Sequence, residues 1–307
     1  MIATSQYTSS LKTNYGIDNS GALKTVIMHT PQIEDDFQNL TNDQNESTIQ
    51  EHSWLCDFFR SFGINVIQLS DLVMENVDLL PTLPGLIYPG FTAVVCRTGA
   101  FLSRHQDNIR CKEEFVVNES LRHLSIPIKH EFQNTKGYFE GFIPYDQKTL
   151  FLTASADCNR DIIIAFIQNA LMFFDDVIEL SLHPHVKHTR IDSIFNVART
   201  GCAIYSPSCI ESTKLYRRYI TENISVEDYC RKRNIELIAV SEEEQTRDCC
   251  AFVAINNNTI AHFESVFSGD TFWRLKNKNI NLVTFKSNHL QIANSAMSSY
   301  ILPIYRA

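Results

Sequence analysis

The stretch that decides how this chain is read is KGYFEGF at 136–142, taken together with RIDSIF at 190–195 and the small-residue tail NSAMSSYILPIYR at 294–306. Between them they supply two carboxylates, Glu140 and Asp192, one guanidinium, Arg190, and a serine, Ser299, in a run of small residues. Carboxylates hold a guanidinium through paired, charge-assisted hydrogen bonds. A serine hydroxyl is a poor nucleophile at neutral pH unless a base stands beside it. Arg190 cannot be that base, because a guanidinium with a pKa of about 12.5 or above stays protonated. Read from the residues alone, Ser299 stands between a nucleophile and a small polar residue in a tightly packed turn.

The 307 residues around these motifs are 44% hydrophobic and 20% charged, enough to bury a large core as one domain or as two close-packed halves. A formal net charge of -8 excludes phosphate-backbone binding as the main activity, since that requires clustered Lys and Arg to displace counterions. The cysteines number nine, are scattered, and show no paired metal-ligand spacing, so they read as buried, reduced thiols of a cytoplasm-like compartment. The polar opening MIATSQYTSSLKTNYG lacks the apolar centre of a secretory signal. No apolar run approaches the roughly 20 residues needed to cross a bilayer. The expectation is a soluble cytoplasmic protein without a membrane or nucleic-acid partner.

Hydrophobic periodicity gives strand, helix and strand in repeated short units. Leu23 to His29 is β-rich, Thr48 to Phe62 has helical spacing, Gly63 stops it, and Ile64 to Leu69 is extended again. The polar stretch Asp35 to Ser47 reads as an exposed loop or the approach to that helix. Similar units follow: Gly85 to Val95 leads into Gly99 to Arg104, then a helix over Glu113 to Leu124 and a strand over Ile126 to His130. Further on come an extended Phe151 to Thr153, a helix at Ile162 to Phe174, a strand at Val177 to Leu182, and the segment Ile191 to Val197. A helix at 225–233 capped by Ser225 and strands at 235–240, 251–255 and 282–285 complete the series. The class is α/β with many short strands, and no linker divides it.

Several segments, in order, resemble the pentein superfamily, which includes arginine deiminases, dimethylarginine dimethylaminohydrolases and amidinotransferases. They are GALKTVIMHTP (21–31), EHSWLCDFFRSFGINVIQL (51–69), LPGLIYPGFTAVVCRTGAFLSR (83–104), RCKEEFVVNESL (110–121), FEGF (139–142), RIDSIF (190–195) and the C-terminal tail. The resemblance covers nearly the whole chain through short matches. It implies a five-bladed α/β propeller of ββαβ-type units around a central site, with an N-terminal extension at 1–20 and a single domain at 21–307. In active relatives a Cys thiolate attacks the guanidinium carbon, a His moves protons and carboxylates grip the guanidinium nitrogens. No cofactor or metal is implied.

Against that pattern the chain departs repeatedly. Where relatives read "TRD", it reads Pro89-Gly90-Phe91, which puts Phe91 at a guanidinium-binding aspartate. Where they read "EGGD", it reads Glu140-Gly141-Phe142-Ile143, keeping the Glu and losing the Asp. Where they read "HLDTVF", it reads RIDSIF, keeping Asp192 and placing Arg190 at the catalytic His. The cysteine position falls on Ser299 in the preferred register and on Ala296 in the alternative one. Neither register contains a cysteine.

The resemblance therefore implies a degenerate site that binds a ligand or partner without hydrolysing guanidines. Arg190 is expected to take the place of a substrate guanidinium and pair with Glu140 or Asp192. The ligand-facing set is Phe91, Phe142, Asp157 and Cys158, and the ligand is a small molecule related to arginine or an anion drawn by Arg190. A homodimer is allowed. The alternative is an active guanidino-group hydrolase or amidinotransferase with a rearranged site or an engineered nucleophile, using Cys158, Cys249, Cys250 or Ser299. His183, His185 and His188 read as a surface loop rather than as metal ligands, while the place of His188, two residues before Arg190, leaves a displaced base open.

Overall fold

The computed structural model describes residues 13–18, 21–30, 42–105, 107–131, 139, 141–155, 158–186, 190–290 and 296–307. Its first strand, β1 (Leu23–Met28), is buried at five of its six positions, as its near-continuous apolar run requires. Helix α1 (Asn42–Ser61) crosses over, Gly63 reverses the chain at φ +73°, and β2 (Asn65–Gln68) lies parallel to β1. The helix begins at Asn42, six residues before the apolar period does. Its first turns are polar, and a polar turn carries no periodicity for a sequence to display.

The second unit has the same plan. Strands β3 (Ala93–Cys96) and β4 (Gly99–Leu102) form a hairpin, α2 (Asn108–His123) follows, and β5 (Ile128–His130) returns parallel to β4. Asp107 caps α2 by accepting from the Ile109 and Arg110 N–H groups at 2.7 and 3.1 Å. Of the segment 85–95 only its end is strand. Pro84–Ile87 and Pro89–Phe91 are single 3₁₀ turns, each begun by a proline whose fixed φ and missing N–H suit a first helical position.

The third unit is β6 (Phe142–Pro144), β7 (Thr149–Ala154), α3 (Arg160–Ala170) and β8 (Asp176–Leu182). The fourth is β9 (Phe195–Arg199) and β10 (Cys202–Tyr205), then β11 (Ile210–Arg217) and β12 (Ile220–Asn223), which join the preceding sheet, then α4 (Val226–Lys232) and β13 (Glu236–Ala239). Ser225 caps α4 by accepting from the Asp228 N–H at 3.0 Å, as its spacing predicts. A short α5 (Glu242–Gln245) leads to β14 (Val253–Asn256), β15 (Thr259–Phe263), α6 (Gly269–Asn277) and β16 (Asn281–Phe285). The last strand, β17 (Leu302–Arg306), returns to pair antiparallel with β1.

The described strands fall into five sheets, ordered β17-β1-β2, β3-β4-β5, β12-β11-β8-β7-β6, β13-β10-β9 and β14-β15-β16. None closes on itself. Each holds an antiparallel pair and a parallel strand that follows a helix, so the architecture is mixed α/β. Ahead of β1, Gly16 donates to the Ile304 carbonyl and Ile17 to that of Val95, tying residues 16–17 to two of these sheets. Among the described residues, no helix is long and apolar enough to cross a membrane.

Candidate functional site

Three short turns carry the motif residues: Pro89–Phe91, Ile191–Ser193 and Met297–Tyr300. The first lies directly on the third. A Cβ placed on Gly90 would stand 2.5 Å from the Ile301 carbonyl oxygen and 2.6 Å from that of Ser298, both backbone atoms. Only glycine allows that approach. Gly90→Ala is expected to cost about 1–3 kcal/mol, as overpacking does, measured by urea unfolding. A loss below about 0.5 kcal/mol, the range of ordinary surface changes, would contradict it.

At this junction the Arg190 guanidinium meets Asp192 edge to edge. Nε donates to Oδ1 at 2.8 Å and Nη2 donates to Oδ2, the bidentate arrangement in which a carboxylate holds a guanidinium. The two side chains are only 16% and 11% exposed. The guanidinium carbon sits 4.3 Å from the centre of the Phe91 ring, in cation–π range, and Phe91 stacks on Tyr88 at 5.5 Å. Arg110 also approaches Phe91, at 5.4 Å. Ser298 donates its hydroxyl to Asp192 Oδ2 at 2.7 Å, and Arg190 Nη1 makes a long contact of 3.5 Å to Ser299 Oγ.

This arrangement sets the chemistry of the serine. Among the described residues the hydrogen-bond partner of the Ser299 hydroxyl is the Arg190 guanidinium, which donates and cannot take a proton. An acceptor of the hydroxyl proton, which nucleophilic attack needs, is not what this partner supplies. Ala296, the alternative position, opens the same turn, and its carbonyl accepts the Ser299 N–H at 3.0 Å.

The turns open onto a cavity of about 750 Å³ lined by one edge strand from each of the five sheets: β3, β6, β9, β14 and β17. Phe91, Phe142, Arg190 and Asp192 all face it. Phe142 also belongs to an aromatic cluster, 4.6 Å from Phe166 and stacked at 5.9 Å on Phe139. Cys158 is not among the lining residues and sits 3.4 Å from Ser155 Oγ. Cys249 and Cys250 are fully buried, and burial pushes the Cys250 thiol well above its ordinary value, away from the thiolate that attacks. His183 and His185 stack at 5.4 Å in a turn. Glu140, Asp157 and His188 lie outside the described residues.

Several contributors escaped the sequence reading. Ser298 reaches Asp192, and the consecutive serines of the tail were the available signal. Arg199 and Arg233 line the cavity from outside the quoted motifs, and Arg306 lines it from the end of the tail motif, where its role was not read. Among the described residues no group of three or more His, Cys, Asp or Glu is arranged to hold a metal ion.

No protein-family model matches the chain, and no curated protein matches its sequence. Solved structures do match. The N-terminal domain of ArgZ bound to product, an arginine dihydrolase from the ornithine–ammonia cycle in Cyanobacteria, superposes with a TM-score of 0.69 at 15% identity, over 92% of this chain and 97% of that one. Unliganded AgrE gives a TM-score of 0.66 at 14% identity over 92% of this chain, which spans only 40% of that protein. A dimethylarginine dimethylaminohydrolase variant in adduct with S-methyl-L-thiocitrulline gives 0.64 at 11% identity, over 92% of this chain and 100% of that one. The likeness shows the fold, which is of the pentein type.

Proposed function

We propose that this chain is a pentein-fold binding protein in which Arg190 fills the guanidinium subsite from within, and that it does not hydrolyse guanidines. The observation that carries the reading is the two-bond pairing of Arg190 with Asp192 beneath Phe91 and beside Ser299. A guanidinium tethered two residues from its carboxylate acts at an effective concentration of at least the millimolar order, so free arginine at metabolic levels competes poorly. The five sheets, each giving an edge strand to one cavity, are read as the blades of a propeller around that cavity. Residues 21–307 form its single domain on this reading.

Nucleophile and base differ together from the pattern the fold's enzymes imply, and loss of one member of such a unit commonly removes several orders of magnitude in rate. The structural relatives include AgrE with L-arginine and AgrE with ornithine and NAD+. An arginine-related ligand is thus the alternative occupant. The test is release of ammonia, urea, citrulline or ornithine from L-arginine, methylated arginines and agmatine, together with calorimetric titration of methylguanidine into the wild type and Arg190→Gly. The expected result is no turnover, no binding by the wild type, and millimolar binding by the variant, whose vacated carboxylate accepts the free cation. Turnover of any of these substrates, or methylguanidine binding by the wild type equal to that of the variant, would overturn the proposal.

A further inference from the structure

The cavity has a second charged group of residues, on elements other than the motif turns. It is formed by Lys148 in the β6–β7 connection, Arg199 at the end of β9, Arg233 just after α4, and Arg306 on β17. Counting the whole lining among the described residues, five cationic side chains face three carboxylates, Asp18, Asp146 and Asp192. Asp175 and Asp176, outside the lining, stand 3.9 Å from Lys148 and Arg233, so the positive charge of this group rests on Arg199 and Arg306. Cations that line a cavity raise the local concentration of anions in it.

The cations of this group differ in how they are satisfied. Arg233 donates to Thr149 Oγ1 at 2.6 Å and lies 3.8 Å from Asp146 and 3.9 Å from Asp176. Lys148 is 3.9 Å from Asp175. Arg306 donates to the carbonyl oxygens of Gly21 and Ala254. Arg199 has no carboxylate partner among the described residues, and its Nε is buried without an acceptor. A buried donor left unpaired is destabilising, and an arriving anion would recover that loss.

The same cavity has apolar lining: Val94, Phe142, Val197, Phe252 and Ile301. At about 750 Å³ the space suits a ligand of drug-like size. We infer that the cavity binds an amphipathic monocarboxylate, with its carboxylate on Arg199 and its apolar body along those walls. This rests on the reading of the cavity as a ligand site and is independent of whether the motif turns retain catalysis. Guanidine turnover would overturn the proposed function and leave this inference standing.

The test uses decanoate, decanol and decylammonium as probes, titrated calorimetrically into the full chain, its Arg199→Gln variant and its Arg199→Lys variant. Decanoate is expected to bind the wild type at least tenfold more tightly than decanol, and decylammonium more weakly than either. Arg199→Gln should abolish the preference for decanoate while leaving decanol affinity unchanged, which also reports that the variant is folded, and Arg199→Lys should retain part of it. Equal affinity for decanoate and decanol, no binding of decanoate, or a full preference kept by Arg199→Gln would overturn the inference. Should Arg199→Gln fail to fold, the wild-type order of the three probes decides.

Discussion

Lowering the pH from 7 to 4 is expected to unfold this protein, with the loss starting near pH 6.5. Three histidines drive it. His29, His52 and His262 are at most 1% exposed, and burial holds them down at about 4, about 3 and about 4 respectively. Among the described residues, both ring nitrogens of His29 and Nε2 of His52 are buried without hydrogen-bond partners. His262 is committed to its neutral form by geometry: Nδ1 accepts the Phe263 N–H at 2.7 Å while Nε2 faces the Asp248 carbonyl at 3.0 Å. Protonating Nδ1 would break the first of these bonds.

The sign follows from linkage. These groups have folded-state pKa values below their unfolded value of 6.5, so the unfolded chain takes up protons first as the pH falls. Their stabilising contribution is complete above about pH 6.5 and is lost down to about pH 4, at about 1.4 kcal/mol per pH unit for each histidine. At pH 5 the three together remove about 6 kcal/mol, comparable with the whole stability of an ordinary domain. Melting temperature against pH checks this. A melting temperature that is flat between pH 7 and 5 would show that the three imidazoles do not remain neutral and buried in the native state.

The second large effect belongs to Glu51. From α1 its carboxylate accepts the Ser287 hydroxyl at 2.6 Å and the backbone N–H groups of Asn288, His289 and Leu290 at 3.0, 2.9 and 3.2 Å. The anchored segment is linked onward, because Tyr300 donates its hydroxyl to the Leu290 carbonyl at 2.8 Å and belongs to the turn that carries Ser298 and Ser299. Glu51→Ala would leave several N–H groups unpaired in a buried place. With about 1–3 kcal/mol per orphaned group, and partial rescue by water, a loss of about 3–5 kcal/mol is expected in denaturant unfolding. Glu51→Gln keeps one acceptor and should fall between the variant and the wild type. A loss under about 1 kcal/mol for Glu51→Ala would mean that the segment finds other partners.

How much was legible in the chain depends on the range of the interaction that decides each feature. Strand β1, helix α3 and strand β8 are apolar runs with a local period, and Ser225 caps α4 within three residues of itself. Strand β12 left no such mark. All four of its residues are exposed, so no alternation of burial is written into ITEN, and its pairing with β11 is what makes it a strand. Helix α6 likewise went unread, and so did the start of α1 at Asn42, where the residues are polar.

The candidate site divides in the same way. The carboxylate and guanidinium of Arg190 and Asp192 stand two residues apart, so their pairing was open to inspection of RIDSIF. Phe91, Ser298 and Ser299 reach them only because Gly90 lets one turn lie on the backbone of another about two hundred residues away. Arg199, Arg233 and Arg306 share a cavity through the same kind of long-range assembly. By itself the sequence determined most of the local elements, the α/β class, and the presence of Phe91, Arg190 and Ser299 in the motif segments. Only the tertiary structure decided where those residues meet, because strand pairing and the approach of distant turns are set by contacts that no local period encodes.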